Sequence, residues 1–382
     1  MTPKAVYVHV PFCEQICHYC DFNKFFLKNQ PIDDYLDDCE TEMKWTAQRF
    51  PSTTVNSVYV GGGTPTSLST EQLRKLLVSI REHFSLAKRD SLEFTVEVNP
   101  GSADQDKLNM LKEVGVNRLS IGVQTFEPDL LNRIGRDHQP EDVKDTVKKS
   151  RNAGIDNLSI DLMFGLPQQT IRQFEDTIDQ AMKLNIDHVS AYSLKVEAKT
   201  VFYQLQRKGK LSLPSQDTEA DMYEMLIRKL SESGFSMYEI SNFAKPGRES
   251  VHNLTYWDNE EYYGIGAGAH SYMSGVRRQN HGPLPKYMKA IKQGKLPYLE
   301  EHPVPLKEKM EEEMFMGLRK RSGVSVSRFA RRYGQPVVNV FGDKIKRLKE
   351  NCLLQERNDR IFLTEKGRLL GNEVFEQFLL DD

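Results

Sequence analysis

The chain has 382 residues, with 52 Lys+Arg against 54 Asp+Glu and a formal net charge of -2. That length suits one large domain joined to a smaller one, and the balanced charge excludes a chain-wide basic footprint for nucleic acid. Hydrophobic residues make up 38% of the chain, enough for a sizeable core. No apolar run approaches the roughly 20 residues that span a bilayer, and Met1–Val10 lacks the pattern of a secretory signal, so the expected compartment is the cytoplasm.

The first 240 residues alternate strand-like and helix-like segments. Short runs rich in Val, Ile and Tyr predict strands at Ala5–Val10, Ser57–Val60, Leu92–Val98, Arg118–Val123, Asn157–Met163, His188–Leu194 and Ser236–Ile240. Between them, helical spacing predicts helices at Pro31–Phe50, Thr70–Phe84, Ala103–Val114, Pro140–Ala153, Ile171–Leu184 and Asp217–Ser233. Ser69-Thr70 ahead of Glu71-Gln72, and Gly115, Gly154 and Gly234 behind three of the helices, are start and stop signals. The alternation predicts an α/β fold of parallel strands with crossover helices, and six or seven units suit a partial or full TIM-like βα barrel over residues 1–240. Composition shifts near Phe243–Gly247, and residues 241–300 read as a linker carrying a Gly- and aromatic-rich stretch, Trp257–Tyr272. From 301 to 382, helices at Lys307–Lys320, Ser325–Tyr333 and Val337–Glu350 and a hairpin at Leu353–Leu363 predict a helical, winged-helix-like domain.

Cys13, Cys17 and Cys20 form a C-x3-C-x2-C string directly after the first strand, while Cys39 and Cys352 stand alone and read as buried structural thiols. In a reducing compartment such crowding argues for metal or redox chemistry over disulfides. Three thiolates on one loop can each bind one iron of a 4Fe–4S cube and leave the fourth iron open. A zinc site completed by His9 or His18 is the alternative. Gly61-Gly62-Gly63-Thr64-Pro65 follows the second strand on the same predicted face, where glycine lets the backbone approach a ligand closely. Other strand ends carry Glu97, Gln124 and, in longer strings, Arg136 and Asp161. A carboxylate at a strand tip can accept ribose hydroxyls, and a surface salt bridge is its bland reading. For Arg136 and Asp161 the bland reading is a structural ion pair. Polar groups at strand ends on one face are what βα barrels use to hold ligands.

These motifs, in this order, resemble those of the radical S-adenosylmethionine (SAM) family. His9-Val10-Pro11-Phe12-Cys13 and Cys20-Asp21-Phe22-Asn23 are similar to the branch containing oxygen-independent coproporphyrinogen III oxidases and their heme-chaperone paralogues, over nearly the whole chain. The resemblance implies a 4Fe–4S cluster on Cys13, Cys17 and Cys20. It assigns SAM contacts to Tyr7, Gly62, Gly63, Thr64 and Glu97, with Tyr19 also at the cofactor site, and sets Gln124, Arg136 and Asp161 around a SAM molecule or its neighbour. It also brings Tyr263–Ser271 near the adenosine side of SAM. It implies SAM cleavage to methionine and a 5′-deoxyadenosyl radical, with the electron supplied by a protein such as a flavodoxin.

Two departures count against coproporphyrinogen decarboxylation. Phe22 stands where those oxidases carry an additional cysteine, and Cys13 follows only twelve residues where they have an N-terminal arm. His252-Asn253-Leu254-Thr255-Tyr256-Trp257 resembles the mark of the heme-chaperone branch. Imidazole binds heme iron, and Tyr and Trp offer flat apolar surface. Without the resemblance the string reads as a core histidine beside aromatics. The expectation is a heme chaperone with His252 as a heme-binding residue, delivering heme to respiratory proteins and so placed in the cytoplasm or at the membrane periphery. A radical SAM coproporphyrinogen oxidase is the alternative, and enzymatic turnover is left open. Nucleic-acid binding through Arg319-Lys320-Arg321 and Arg331-Arg332 is not expected, because such runs are usually solvated helix faces.

Overall fold

The computed structural model describes residues 2–380. Strands β1 (Ala5–Val10), β2 (Ser57–Gly62), β3 (Glu93–Val98), β4 (Arg118–Gln124), β5 (Asn157–Phe164) and β6 (His188–Ser193) pair in parallel in chain order. Helices α1 (Ile32–Arg49), α2 (Thr70–His83), α3 (Gln105–Glu113), α4 (Pro140–Asn152) and α5 (Ile171–Lys183) lie between them, and α6 (Gln216–Glu232) follows β6. The capping signal at Ser69 is realised: its hydroxyl accepts from the Gln72 amide and the Gln72 side chain returns to the Ser69 amide.

The strands sort their residues by face. Val6, Val8 and Val10, then Val58 and Val60, Val96 and Val98, and their counterparts on β4 to β6, belong to the main apolar core. Successive strand residues point to opposite faces, so the alternate set points into the barrel. In register across the strands, that set runs Tyr7, Tyr59, Thr95 and Arg118 in one row and Glu97, Ser120, Ser159 and His188 in the next. The barrel is therefore apolar where it meets its helices and polar inside.

The sheet does not close. At one end β7 (Ser236–Glu239) and β8 (Asn242–Ala244) add an antiparallel hairpin, so the seventh predicted strand is not part of the parallel series. At the other end β9 (Tyr262–Ile265) joins β1 in parallel, and β10 (His270–Met273), β11 (Val276–Asn280) and β12 (Tyr298–Pro303) extend it antiparallel. The twelve strands run β12-β11-β10-β9-β1-β2-β3-β4-β5-β6-β8-β7. Residues 241–300 are thus not a linker: they supply both flanks of the sheet, with helices α7 (Val251–Trp257) and α8 (Leu284–Lys292).

The C-terminal region has its own core around Met314, Phe329 and Phe341. Helices α9 (Leu306–Arg319), α10 (Val326–Tyr333) and α11 (Val337–Glu350) carry a three-stranded wing of β13 (Val324–Ser325), β14 (Leu354–Arg357) and β15 (Arg360–Leu363). Much of the basic run docks this domain on the barrel flank. Asp258 pairs with Lys320 and with Arg328 at 3.0 Å, and Arg332, which pairs with Glu313 at 2.8 Å inside the C-terminal domain, donates to the Asp258 carbonyl at 3.1 Å. Lys320 and Glu313 are nearly withdrawn from water, so these pairs escape the solvent screening that weakens surface ion pairs. Cys39 is buried, but Cys352 is exposed, contrary to the expectation that both are buried. Among the described residues no helix is long and apolar enough to cross a membrane.

Candidate functional site

Phe12–Cys13 leaves β1 and pairs with Phe25–Phe26, closing the cysteine loop over the carboxyl ends of the strands. The loop roofs a cavity of about 740 Å³, open mouth included. Its lining includes Cys13, Cys17, Tyr19, Cys20, Gly62, Gly63, Thr64, Glu97, Gln124, Arg136 and Asp161, all named from sequence.

The three sulfurs do not form a group whose members all lie within 4.8 Å of one another. A tetrahedral zinc with bonds of about 2.3 Å would hold them roughly 3.8 Å apart. Of the proposed fourth zinc ligands, His9 has both ring nitrogens engaged, Nε2 2.7 Å from the Asn23 carbonyl and Nδ1 2.9 Å from the Tyr7 hydroxyl, whereas His18 has Nδ1 on the Arg133 carbonyl at 2.8 Å, and neither ring joins two of the thiols in a group within 4.8 Å. Spread thiols on one loop suit an iron–sulfur cluster better than a single zinc. Burial pushes the Cys13 thiol up to about 11, and the Thr64 hydroxyl 3.9 Å away pulls the other way. Arg136 brings positive charge to the cluster loop, its Nη1 3.6 Å from Cys17 Sγ.

The glycine turn is shaped by close approach. Gly62 has φ +115°, a conformation that side chains rarely adopt. A Cβ on Gly63 would sit 2.7 Å from the Phe12 carbonyl oxygen and 2.9 Å from Cys13 Sγ, so any side chain there displaces the cysteine loop. Glu97 braces this turn: Oε2 accepts from the Gly62 amide at 2.9 Å and Oε1 from the Tyr59 hydroxyl at 2.8 Å. Burial pushes the Glu97 carboxyl up to about 7, against the pull of those two donors. Each oxygen thus takes one protein donor, and the carboxylate keeps further acceptor capacity at the cavity wall.

Arg136 does not pair with Asp161. Its Nη2 donates to Asn99 Oδ1 and to the Gly122 carbonyl, and Asp161 instead accepts from the Ser120 hydroxyl at 3.2 Å. Gln124 ends β4 at φ 65°, left-handed backbone in a non-glycine residue that aims its amide at the cavity. Local strain of this kind is held by surrounding structure and clusters at ligand sites. Asn99 and Ser120 were not singled out in sequence. The available signal was period two: Ser120, Gly122 and Gln124 share one face of β4.

Two expected residues lie elsewhere. Tyr7 does not line the cavity, and its ring stacks on Tyr59 at 6.2 Å inside the barrel. His252 sits at the amino ends of the strands, the opposite end from the cysteines. Its Nδ1 is 3.1 Å from the hydroxyl of Ser57, the first residue of β2, and Nε2 is 2.8 Å from the Tyr256 hydroxyl. Glu93 fixes this corner by accepting from the Val251 and His252 amides, each at 2.9 Å. Burial drives His252 down to about 3, so the ring is neutral. With both nitrogens engaged and 1% exposure, His252 has no site for iron in this conformation, which corrects its reading as a heme ligand. The Tyr263–Ser271 string also stays outside the cavity: the Ala267 carbonyl is held by Asn23 Nδ2 at 2.8 Å.

Beside the cysteine cavity, and sharing Tyr19 and Phe22 with it, lies a second hollow of about 2100 Å³, open mouth included, between the barrel's open side and the C-terminal domain. Its walls include Phe164, Tyr192, Tyr223, Trp257 and Phe375. Tyr192 and Phe22 are 44% and 62% exposed, so two aromatic faces are available to a ligand.

A parallel strand array with three thiols, a glycine turn and polar strand ends gathered over its carboxyl edge defines a radical SAM protein. Residues 7–181 match the Radical SAM superfamily, and residues 304–370 match the HemN C-terminal domain. The solved coproporphyrinogen III oxidase (HemN) of Escherichia coli, a radical SAM enzyme, superposes with a TM-score of 0.87 at 27% identity, covering 99% of this chain and 90% of that one. The heme chaperone HemW of Bacillus subtilis is 50% identical, over 98% of this chain and 99% of its own, and that of Lactococcus lactis is 45% identical, over 100% and 98%. The chain belongs to the HemW heme chaperone family within the radical SAM superfamily.

Proposed function

We propose that this protein is a heme chaperone that holds a 4Fe–4S cluster on Cys13, Cys17 and Cys20, binds SAM beside it, and carries heme to respiratory proteins at the membrane. In this reading Gly62, Gly63 and Thr64 seat the amino-acid end of SAM, Gln124 and Asp161 orient it, and Arg136 steadies the thiolates. Glu97 and Tyr7 act one step back, through the glycine turn and Tyr59. When bound, the cluster and SAM supply one-electron reductive chemistry, fed by a reductant such as a flavodoxin.

The observation that carries the heme reading is the aromatic-walled hollow opening off the cysteine cavity. It is large enough for a porphyrin and is contiguous with the cluster loop through Tyr19 and Phe22. A flat, mainly apolar ligand gains most from such walls. Phe22, where the oxidases carry an additional cysteine, extends that apolar surface.

Ferric heme titrated into anaerobically purified protein tests this. Saturable binding with a shifted absorbance band is the expected result, and its absence overturns the reading. The His252→Ala variant is expected to keep heme affinity within about threefold, because His252 faces the far end of the barrel. The same change leaves Ser57 and Tyr256 without their buried partner, an expected loss of about 1–3 kcal/mol of stability. Loss of heme binding with an unchanged fold would return His252 to the ligand set.

A further inference from the structure

Within the hollow, the apolar walls are accompanied by two arginines that the docking network does not use. Arg319 ends α9 with its guanidinium 4.6 Å above the Trp257 ring and 5.8 Å from that of Phe375. Its Nε is buried without a hydrogen-bond partner, and so is Trp257 Nε1. Among the described residues Arg368, on the short helix Glu365–Leu369, has an ion pair only with Glu365 at 3.6 Å, and that carboxylate is 96% exposed. Both guanidiniums reach the field of the Tyr223 hydroxyl, where they oppose the burial that pushes it up to about 12. The two cations therefore share one part of the hollow, and neither lines the cysteine cavity.

Among the described residues the carboxylates lining the hollow make no ion-pair contact with either guanidinium, although Arg319 is near enough to Glu239 to favour its charged form. Glu219 accepts from the Ser193 hydroxyl, and Glu239 from Asn242 and the Ser241 amide. Asp21, Glu197 and Glu373 are exposed. What remains is a pair of forked donors beside flat aromatic faces. Guanidinium matches a carboxylate in two-pronged geometry, and stacking on Trp257 holds the Arg319 fork in place. The complementary ligand is planar and apolar with two carboxylates on one edge.

We propose that Arg319 and Arg368 clamp the two propionates of heme, so that the bound macrocycle is oriented with its carboxylate edge toward the C-terminal domain. This rests on the heme reading above and adds to it the site and the orientation. The C-terminal domain then contributes directly to the ligand site, through residues that a barrel without it would lack.

The test compares ferric protoporphyrin IX with its dimethyl ester on the full-length, cluster-loaded protein and on Arg319→Gln, Arg368→Gln and the double variant. Each single change is expected to weaken heme about tenfold or more, the typical effect of deleting a charge-assisted hydrogen bond. The ester is expected to bind wild type weakly and to be insensitive to the substitutions, and Arg319→Lys should restore part of the loss. The ester arm on wild type needs no variant, so misfolding cannot mimic the result. Equal affinity for heme and ester, with variants unchanged, overturns the clamp while leaving the chaperone reading intact. No saturable heme binding by wild type overturns the chaperone reading itself.

Discussion

Replacing Cys17 with Ala is expected to abolish the iron–sulfur chromophore of anaerobically purified protein, while Cys352→Ala leaves it unchanged. Cys17 is half-buried in the cavity wall and lies 3.6 Å from Arg136 Nη1, whereas Cys352 is exposed on the C-terminal domain. Loss of an outer-shell partner alone typically costs roughly 10–100-fold in metal affinity, so loss of a thiolate ligand exceeds that. Cys13→Ala and Cys20→Ala should behave alike. Iron and sulfide content and visible absorbance, measured on all four variants, check this. A Cys17→Ala protein that keeps full cluster occupancy would remove the three-thiol assignment.

The second large effect lies behind the sheet. Glu42, on α1, is wholly buried and accepts from the Gly266 amide at 2.8 Å, the Tyr287 hydroxyl at 2.6 Å and Asn280 Nδ2 at 2.6 Å. One carboxylate thus ties α1 to α8, to β11 and to the turn after β9. Burial raises its pKa from 4.5 to about 7, and the three donors pull it back. A folded-state pKa above the unfolded value means that the folded protein takes up a proton there. Glu42's titration therefore favours folding most below about pH 4.5, and that contribution declines as pH rises through about 7. The size is of order 2–3 kcal/mol. In Glu42→Gln the amide NH2 must face a donor, an expected loss of about 1–3 kcal/mol near pH 5. Because Gln does not titrate, the gap to wild type should close by about 2 kcal/mol toward pH 8. Glu97 titrates in the same window in both proteins and cancels from the difference. Chemical-denaturation stabilities of both proteins at the two pH values decide it, and a gap independent of pH would refute the assignment.

The parallel strands and their helices were legible because apolar runs and helical spacing report burial against a neighbour. The outer faces of β1 to β6 meet helices and supply those runs. The polar inner face was harder to read, since an alternating Ser, Tyr or Glu inside a Val-rich run resembles a solvated face. Asn99, Ser120 and Tyr59 were passed over for that reason, although they hold Arg136, Asp161 and Glu97.

The flanks failed for a different cause. Gly266 and Gly268, at φ +98° and +78°, look like a ligand-binding loop in sequence, yet they form a tight turn packed on Tyr35 and Asn23. His252 shows the same limit. A histidine among aromatics reads equally as ligand or core, and only the register of Ser57 opposite its ring decides the matter. Arg319 was hidden inside a charge run, because sequence does not tell which members face Asp258 and which face the hollow.

The most direct measurement of the central claim is metal and heme stoichiometry on one anaerobically reconstituted sample incubated with coproporphyrinogen III, SAM and reductant. The account predicts four cluster irons and one saturably bound heme per chain, with the porphyrinogen unchanged. A sample that binds no heme and converts coproporphyrinogen to protoporphyrinogen would contradict it.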